Sequence, residues 1–219
     1  FIALLRGLSA HVLLFCVLVI STFIVIVPTA AANTVNDPRF STYMGIAQAD
    51  VYMGWRAESP ADADIAHDID ATLHHSDPVA QHVLTRTSRH DVLAASGERI
   101  SMNIVSGDHA TMPTAYVEGH APRTPNEIAL PLMSLSATGY EVGEKIPVDV
   151  QGELKPLTIV GSYQDITNGG KTAKALLEPE PEDVTWYTVL VDLQPGVEPE
   201  DVLEEWSHRW PKANPVALE

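Results

Sequence analysis

Residues 168–172 read Asn-Gly-Gly-Lys-Thr and are the part of this sequence that most resembles a phosphate-binding loop. Such a loop follows a strand and precedes a helix, and its glycine amides and lysine surround a phosphate. We predict a strand before these residues and a helix after them. However, Asp165 occupies the place of the first glycine, where its carboxylate would repel phosphate. Asp192, which imitates a magnesium-holding aspartate, follows only about twenty residues later, too close for a nucleotide-binding fold. We therefore predict a glycine turn and no nucleotide site.

Histidine is abundant, with nine copies, and could supply metal ligands or a general base. His74, His75 and His82 form the closest set, and His90 follows. The sequence holds no His-Glu-x-x-His pattern, and its single cysteine, Cys16, lies in an apolar segment far from them. His74 and His75 suit the negative end of a predicted helix, and no Gly-x-Ser-x-Gly elbow is present. The sequence predicts no catalytic residue, no cofactor and no metal ligand, so an enzyme is not expected.

The charge balance excludes one large class of partners. The 219 residues include 29 acidic and 13 basic side chains, for a net charge of -16. Nucleic acids are excluded as partners because phosphate contacts need a basic surface. Hydrophobic residues make up 45 % of the chain, which is enough for a folded core. With one cysteine there is no intramolecular disulfide, and packing alone must stabilise the fold.

An uncharged apolar segment at residues 12–32 predicts a transmembrane helix surrounded by membrane lipid. About 20 apolar residues cross a hydrocarbon core of about 30 Å. Arg6 precedes the segment, so residues 1–11 are predicted to be a cytoplasmic flank and residues 33–219 an extracytoplasmic domain. A cleaved signal peptide is the alternative, because Ala30-Ala31-Ala32 fits the small-residue cleavage pattern. Both interpretations place the folded part outside the cytoplasm.

The elements that must position any site follow from hydrophobic periodicity and turn residues. We predict a polar linker at 33–42 and strands at 47–56, 79–95, 99–105, 115–118, 127–130, 145–150, 154–163 and 186–193. Helices are predicted from Ser59, as N-cap, to about His75, at 132–138 and at 197–210. Since most strands are separated by short turns, we expect local pairing. The predicted class is α+β, with a mixed, mostly antiparallel sheet.

Several short pieces between Tyr116 and Lys174 occur in an order typical of one family. They are Tyr-Val-Glu-Gly119, Asn-Glu127-Ile-Ala-Leu130, Thr-Gly139-Tyr-Glu-Val-Gly143-Glu-Lys-Ile146, Leu-Thr-Ile-Val-Gly161-Ser-Tyr-Gln-Asp165 and Thr-Asn-Gly-Gly-Lys-Thr172. In this order, and after one apolar segment, they resemble the extracytoplasmic domain of FtsX-like ABC transporter permeases. That family includes the MacB, LolC, LolE and bacitracin-resistance permeases, and its domain is the MacB-like periplasmic core domain.

This resemblance implies a permease subunit in the bacterial plasma membrane, with four transmembrane helices. It further implies a separate cytoplasmic ATP-binding subunit, which hydrolyses ATP, and a second permease protomer. The outer domain would couple ATP-driven motion to the export or handling of amphiphilic or peptide cargo, or to an envelope protein. No catalytic residue is carried over. The alternative is a secreted or singly anchored binding module with a cleaved signal peptide.

Overall fold

The computed structural model describes residues 12, 14–24, 26–27, 38–43, 48–112, 114–165 and 167–218. Phe1–Ser41 and Thr42–Glu219 form two separate compact units. In the first unit, residues 12, 14–24 and 26–27 are helical and exposed.

Within the part of the chain that the structure describes, no helix is long and apolar enough to cross a bilayer. Residues 1–11, 13, 25 and 28–37 lie outside the described residues. The cytoplasmic flank, the span at 12–32 and the cleavage site Ala30-Ala31-Ala32 therefore stay predictions.

The described residues form ten strands and four α-helices outside the N-terminal helical segment, together with two short 3₁₀ turns. The strands are β1 (Val51–Arg56), β2 (Val79–Leu93), β3 (Arg99–Gly107), β4 (Tyr116–Gly119), β5 (Glu127–Pro131), β6 (Lys145–Val150), β7 (Glu153–Tyr163), β8 (Thr172–Ala175), β9 (Val184–Leu193) and β10 (Val216–Ala217). The helices are α1 (Pro38–Tyr43), α2 (Asp62–Leu73), α3 (Leu132–Thr138) and α4 (Pro199–Arg209), and the 3₁₀ turns are Thr167–Gly170 and Pro211–Ala213.

All ten strands join one mixed sheet, in the order β10-β1-β9-β2-β3-β8-β5-β7-β4, with β6 paired to β2 and β7. Two pairings, β3 with β8 and β5 with β7, are parallel, and the other pairings are antiparallel. The predicted α+β class with a mostly antiparallel sheet is confirmed. The expected local pairing is wrong outside the β2–β3 and β6–β7 hairpins, because β9 inserts between β1 and β2.

One hydrophobic core lies between β1, β9 and the helices α2 and α4. The largest side chains in it include Met53, Ile69, Tyr187 and Trp206, all at most 3 % exposed. The indole of Trp210 donates a hydrogen bond of 2.7 Å to the Asp68 carboxylate and so ties the end of α4 to α2. This core seals one face of the first half of the sheet.

A second core fills the other half of the sheet. Its buried members come from β3, β5, β6, β7 and β8 and include Met102, Ile104, Ile128, Ile146 and Ile159. The helix α3 packs against it through the half-buried Leu135 and ends at Gly139, whose φ of 73° forms a left-handed cap.

Three local predictions are wrong. Ser59 does not cap α2; instead the Asp62 carboxylate accepts hydrogen bonds from the amides of Glu58 and Ser59, so the helix begins at Asp62. The linker at 33–42 contains the start of α1. The residues after the glycine turn form β8 rather than a helix, because Ala173 and Ala175 alternate into the second core.

Candidate functional site: a cavity on the open sheet face

Strand alternation gives the first half of the sheet two different faces. Met53 and Val189 point to the helix-covered core and are 0 % exposed. Their chain neighbours point the opposite way, where Tyr52 pairs with Leu190 and Thr85 pairs with Thr188 across the ladder. We call this second surface the open face; its register continues through Val105 to Lys174 on β8.

A cavity of about 320 Å³ lies on the open face. Its floor combines threonine hydroxyls with aliphatic side chains, namely Thr85, Thr87, Thr188, Val83, Val105 and Leu190. The loop after β3 adds His109 and Met112 to the wall, and β7 and β8 add Tyr163 and Lys174. The three floor threonine hydroxyls make no hydrogen bond with another described residue, so they can serve a ligand.

Lys174 is the ammonium group of this cavity. Its Nζ donates a hydrogen bond of 2.5 Å to Thr114 Oγ1 and lies 4.5 Å from the centre of the Tyr163 ring and 5.7 Å from that of Tyr116. Burial lowers the pKa of Lys174 to about 8, and the Asp165 carboxylate opposes this shift. The lysine is charged at neutral pH, but it is less well solvated than a surface lysine.

The other titratable groups of the wall are less able to act on a ligand. His109 is 7 % exposed, and burial together with the charge of Lys174 lowers its pKa to about 4, so it is neutral. Its Nε2 contacts the Val105 carbonyl oxygen at 2.9 Å. The Asp108 carboxylate accepts hydrogen bonds from the amides of Ala110 and Thr111 in its own loop. The carboxylates of Asp108 and Asp165 therefore line the cavity together with the ammonium of Lys174.

The glycine turn, Thr167–Gly170, directly precedes β8. Gly169 and Gly170 have φ values of 64° and 70°, and Ser134 Oγ donates to the Gly170 carbonyl oxygen at 2.5 Å. A strand follows, so no helix N-terminus faces a ligand. Asp192 accepts a hydrogen bond of 2.6 Å from the Gln81 side chain. The predicted glycine turn is confirmed.

The four histidines that the sequence singled out make local contacts within the fold. His74 caps the C-terminus of α2, where the sequence placed it, and its ring contacts that of His75. His82 Nε2 lies 2.9 Å from Asp70 Oδ1, and His90 Nε2 lies 2.8 Å from Ser88 Oγ. Among the described residues, no group of three or more His, Cys, Asp or Glu side chains could hold a metal ion.

Comparison with solved structures identifies the fold. The periplasmic region of MacB from Actinobacillus actinomycetemcomitans matches with a TM-score of 0.51 at 7 % sequence identity, covering 79 % of this chain and 90 % of that one. A domain of a putative permease protein from Porphyromonas gingivalis matches at 0.46, with 14 % identity over 75 % and 83 % of the chains. The extracellular domain of the noncanonic ABC-type transporter YknZ from Gram-positive bacteria matches at 0.45, with 11 % identity over 78 % and 100 %. No family model and no curated protein matches the sequence.

The likeness to MacB gives the fold that the sequence resemblance implied: this chain carries a domain with the MacB-like periplasmic fold. The sequence predicted no site residues, and so it missed the cavity. The available signal was the alternation Thr-Ala-Lys-Ala at 172–175, which places Lys174 opposite two buried alanines. This alternation is informative only if residues 172–175 are recognised as a strand. Four residues are too few for that, and they do not indicate which strands lie beside them in the sheet.

Proposed function

We propose that this chain is part of the permease subunit of an ABC transporter, with residues 33–219 on the extracytoplasmic side of a bacterial plasma membrane. The single observation that carries this proposal is the MacB-like fold, which covers 79 % of the chain. The apolar segment at 12–32 directly before the fold supports it, because it would anchor the domain. In this account residues 1–11 are the cytoplasmic flank.

The role of the domain would be mechanical rather than catalytic. A cytoplasmic ATP-binding subunit would hydrolyse ATP, and two permease protomers would transmit the motion to their outer domains. Strands of one continuous sheet contribute to both hydrophobic cores, so the domain can move as a rigid body. The cargo would be amphiphilic molecules or peptides, or the domain would engage an envelope protein.

Purification of the tagged full-length protein from membranes tests this proposal. We expect an ATP-binding subunit to co-purify and the complex to hydrolyse ATP. A matched complex in which the phosphate-loop lysine of that subunit is replaced by alanine should lose the hydrolysis. Recovery of the chain as a soluble protein that begins after Ala32, shown by its intact mass, would contradict the proposal and establish the secreted binding module.

A further inference from the structure

The cavity on the open face has two chemically different ends. Its volume of about 320 Å³ falls at the lower end of the range for small-molecule sites, about 300–1,000 Å³. The charged groups belong to one end, where Lys174 lies on β8 and Asp108 and Asp165 lie in the segments after β3 and β7. The other end is the floor on β2 and β9, which carries threonine and aliphatic side chains and no charged group.

The charged groups of the first end are already engaged with groups of the protein. The Lys174 ammonium donates a hydrogen bond of 2.5 Å to Thr114 Oγ1, and the Asp165 carboxylate attracts it. The Asp108 carboxylate accepts hydrogen bonds from two amides of its own loop. A carboxylate ligand at this end would meet two carboxylates, and an ammonium ligand would meet Lys174. This end therefore favours neither sign of charge.

Three threonine hydroxyls on the floor are open to a ligand. Thr188 on β9 pairs with Thr85 on β2, and Thr87 follows on the same face of β2. Their hydroxyls make no hydrogen bond with another described residue. Because a hydroxyl both donates and accepts, these three suit a ligand group that does the same. A plain hydrocarbon would remove water from them and give no hydrogen bond in return.

Aliphatic side chains lie beside these hydroxyls. Val83 pairs with Leu190 across the β2–β9 ladder, next to the threonine pair on the same face, and Val105 adds apolar surface from β3. At about 30 Å³ for each water-sized group, the cavity holds about ten non-hydrogen atoms. The floor therefore suits a short aliphatic chain that ends in a neutral polar group.

We propose that this cavity binds a neutral aliphatic alcohol of up to about ten non-hydrogen atoms, with its hydroxyl on the floor threonines and its chain along Val83, Val105 and Leu190. The ligand hydroxyl replaces water on the threonines, while the chain removes the aliphatic surface from water. Binding here does not require the permease role, so failure of either proposal leaves the other standing.

A methyl-detected NMR titration of the full chain in lipid nanodiscs tests the site, with 1-hexanol, hexanoate and hexylammonium as probes. We expect hexanol to shift the Val83, Val105 and Leu190 methyl signals saturably, with a dissociation constant on the order of 1 mM for so small a ligand. At equal free concentration in water, both charged probes should bind at least about tenfold more weakly, since the floor offers no opposite charge to replace their hydration. Absence of saturable shifts with hexanol, or equal affinity for a charged probe, would overturn the proposal.

Variants locate the hydroxyl of the ligand. Thr85→Val and Thr188→Val together keep the shape of the floor but remove the paired hydroxyls, and should weaken hexanol binding about fivefold or more, the loss of at least one hydrogen bond. Thr158→Val is the matched control, since Thr158 is a half-buried threonine of β7 outside the cavity, and its hexanol affinity should not change. Equal affinity in the double variant and the control would contradict the assignment.

A further variant tests the position of the chain. Thr188→Phe places a ring on the cavity floor, in a strand that tolerates aromatic residues, and should abolish the binding of hexanol. The methyl signals of Ile104 and Ile128 in the second core report in the same spectra that the variant is folded. Unchanged hexanol binding by Thr188→Phe would place the ligand elsewhere and overturn the proposal.

Discussion

The two faces of the β1–β9–β2 part of the sheet are built from alternate residues of the same strands, yet they differ in what they do. The helix-covered face carries fully buried side chains such as Met53 and Val189. The open face carries Tyr52, Thr188 and Thr85, which are half-buried around a cavity. Because successive residues of a strand point to opposite sides, one face can stabilise the domain while the other lines an accessible cavity. The two roles should therefore respond separately to mutation.

The largest expected effect is on the helix-covered face. Met53→Ala should lower the free energy of unfolding by about 2–5 kcal/mol, since it leaves a cavity in a packed core. Thr188→Ala, on the neighbouring strand but on the open face, should change it by about 0.5 kcal/mol or less. Urea denaturation measures both. Similar losses in the two variants would show that the open face is as tightly packed as the other.

The next effect concerns the buried carboxylate of Asp62, which holds Lys212 Nζ at 2.5 Å. Asp62→Ala should lower the free energy of unfolding by about 1–3 kcal/mol, because the amides of Glu58 and Ser59 also lose their acceptor. Asp64→Ala is the control, since Asp64 is exposed in the same helical turn. Equal unfolding midpoints for the two variants would contradict this structural role.

The Asp62 carboxylate also makes the free energy of unfolding depend on pH. The hydrogen bond from Lys212, helped by the amides of Glu58 and Ser59, lowers the pKa of Asp62. Its contribution to stability is then complete above the ordinary aspartate pKa of about 3.9 and is lost as the pH falls through the lower folded value. Asp62→Asn should therefore lose less stability than the wild-type chain between about pH 5 and about pH 2. Parallel losses in thermal unfolding would contradict this.

The smallest expected effect is on the charge of the open face. Lys174→Met should change the free energy of unfolding by about 1 kcal/mol or less, because relief of a desolvated ammonium offsets the lost hydrogen bond to Thr114 and the lost attraction to Asp165. Urea denaturation of both variants compares a carboxylate inside a hydrogen-bonded network with an ammonium beside a cavity. A loss as large as that of Asp62→Ala would make Lys174 structural.

The sequence predicted the class and most element positions because their signals are local. The β2–β3 and β6–β7 hairpins follow from turn residues, and α3 follows from its glycine cap. Gly161 lies at a close backbone approach, since a Cβ there would lie 2.4 Å from the His120 carbonyl oxygen.

The cavity could not be predicted because it is made by distant pairings. β9 brings Thr188 beside Thr85, and the parallel pairing of β3 with β8 brings Lys174 to the same face. Hydrophobic alternation indicates that a strand has two faces, but it does not indicate which strand lies beside it. β8 itself was missed, since four residues give too short a period to distinguish a strand from a loop.

The location of the domain is the central claim, and a thiol-labelling measurement tests it most directly. Glu98 is exposed in the β2–β3 turn, so Glu98→Cys in a Cys16→Ser background gives one accessible thiol in the outer domain. A membrane-impermeant maleimide should label the membrane-bound protein of intact cells as fully as after lysis. Labelling of that protein only after lysis would place the domain inside and contradict the account.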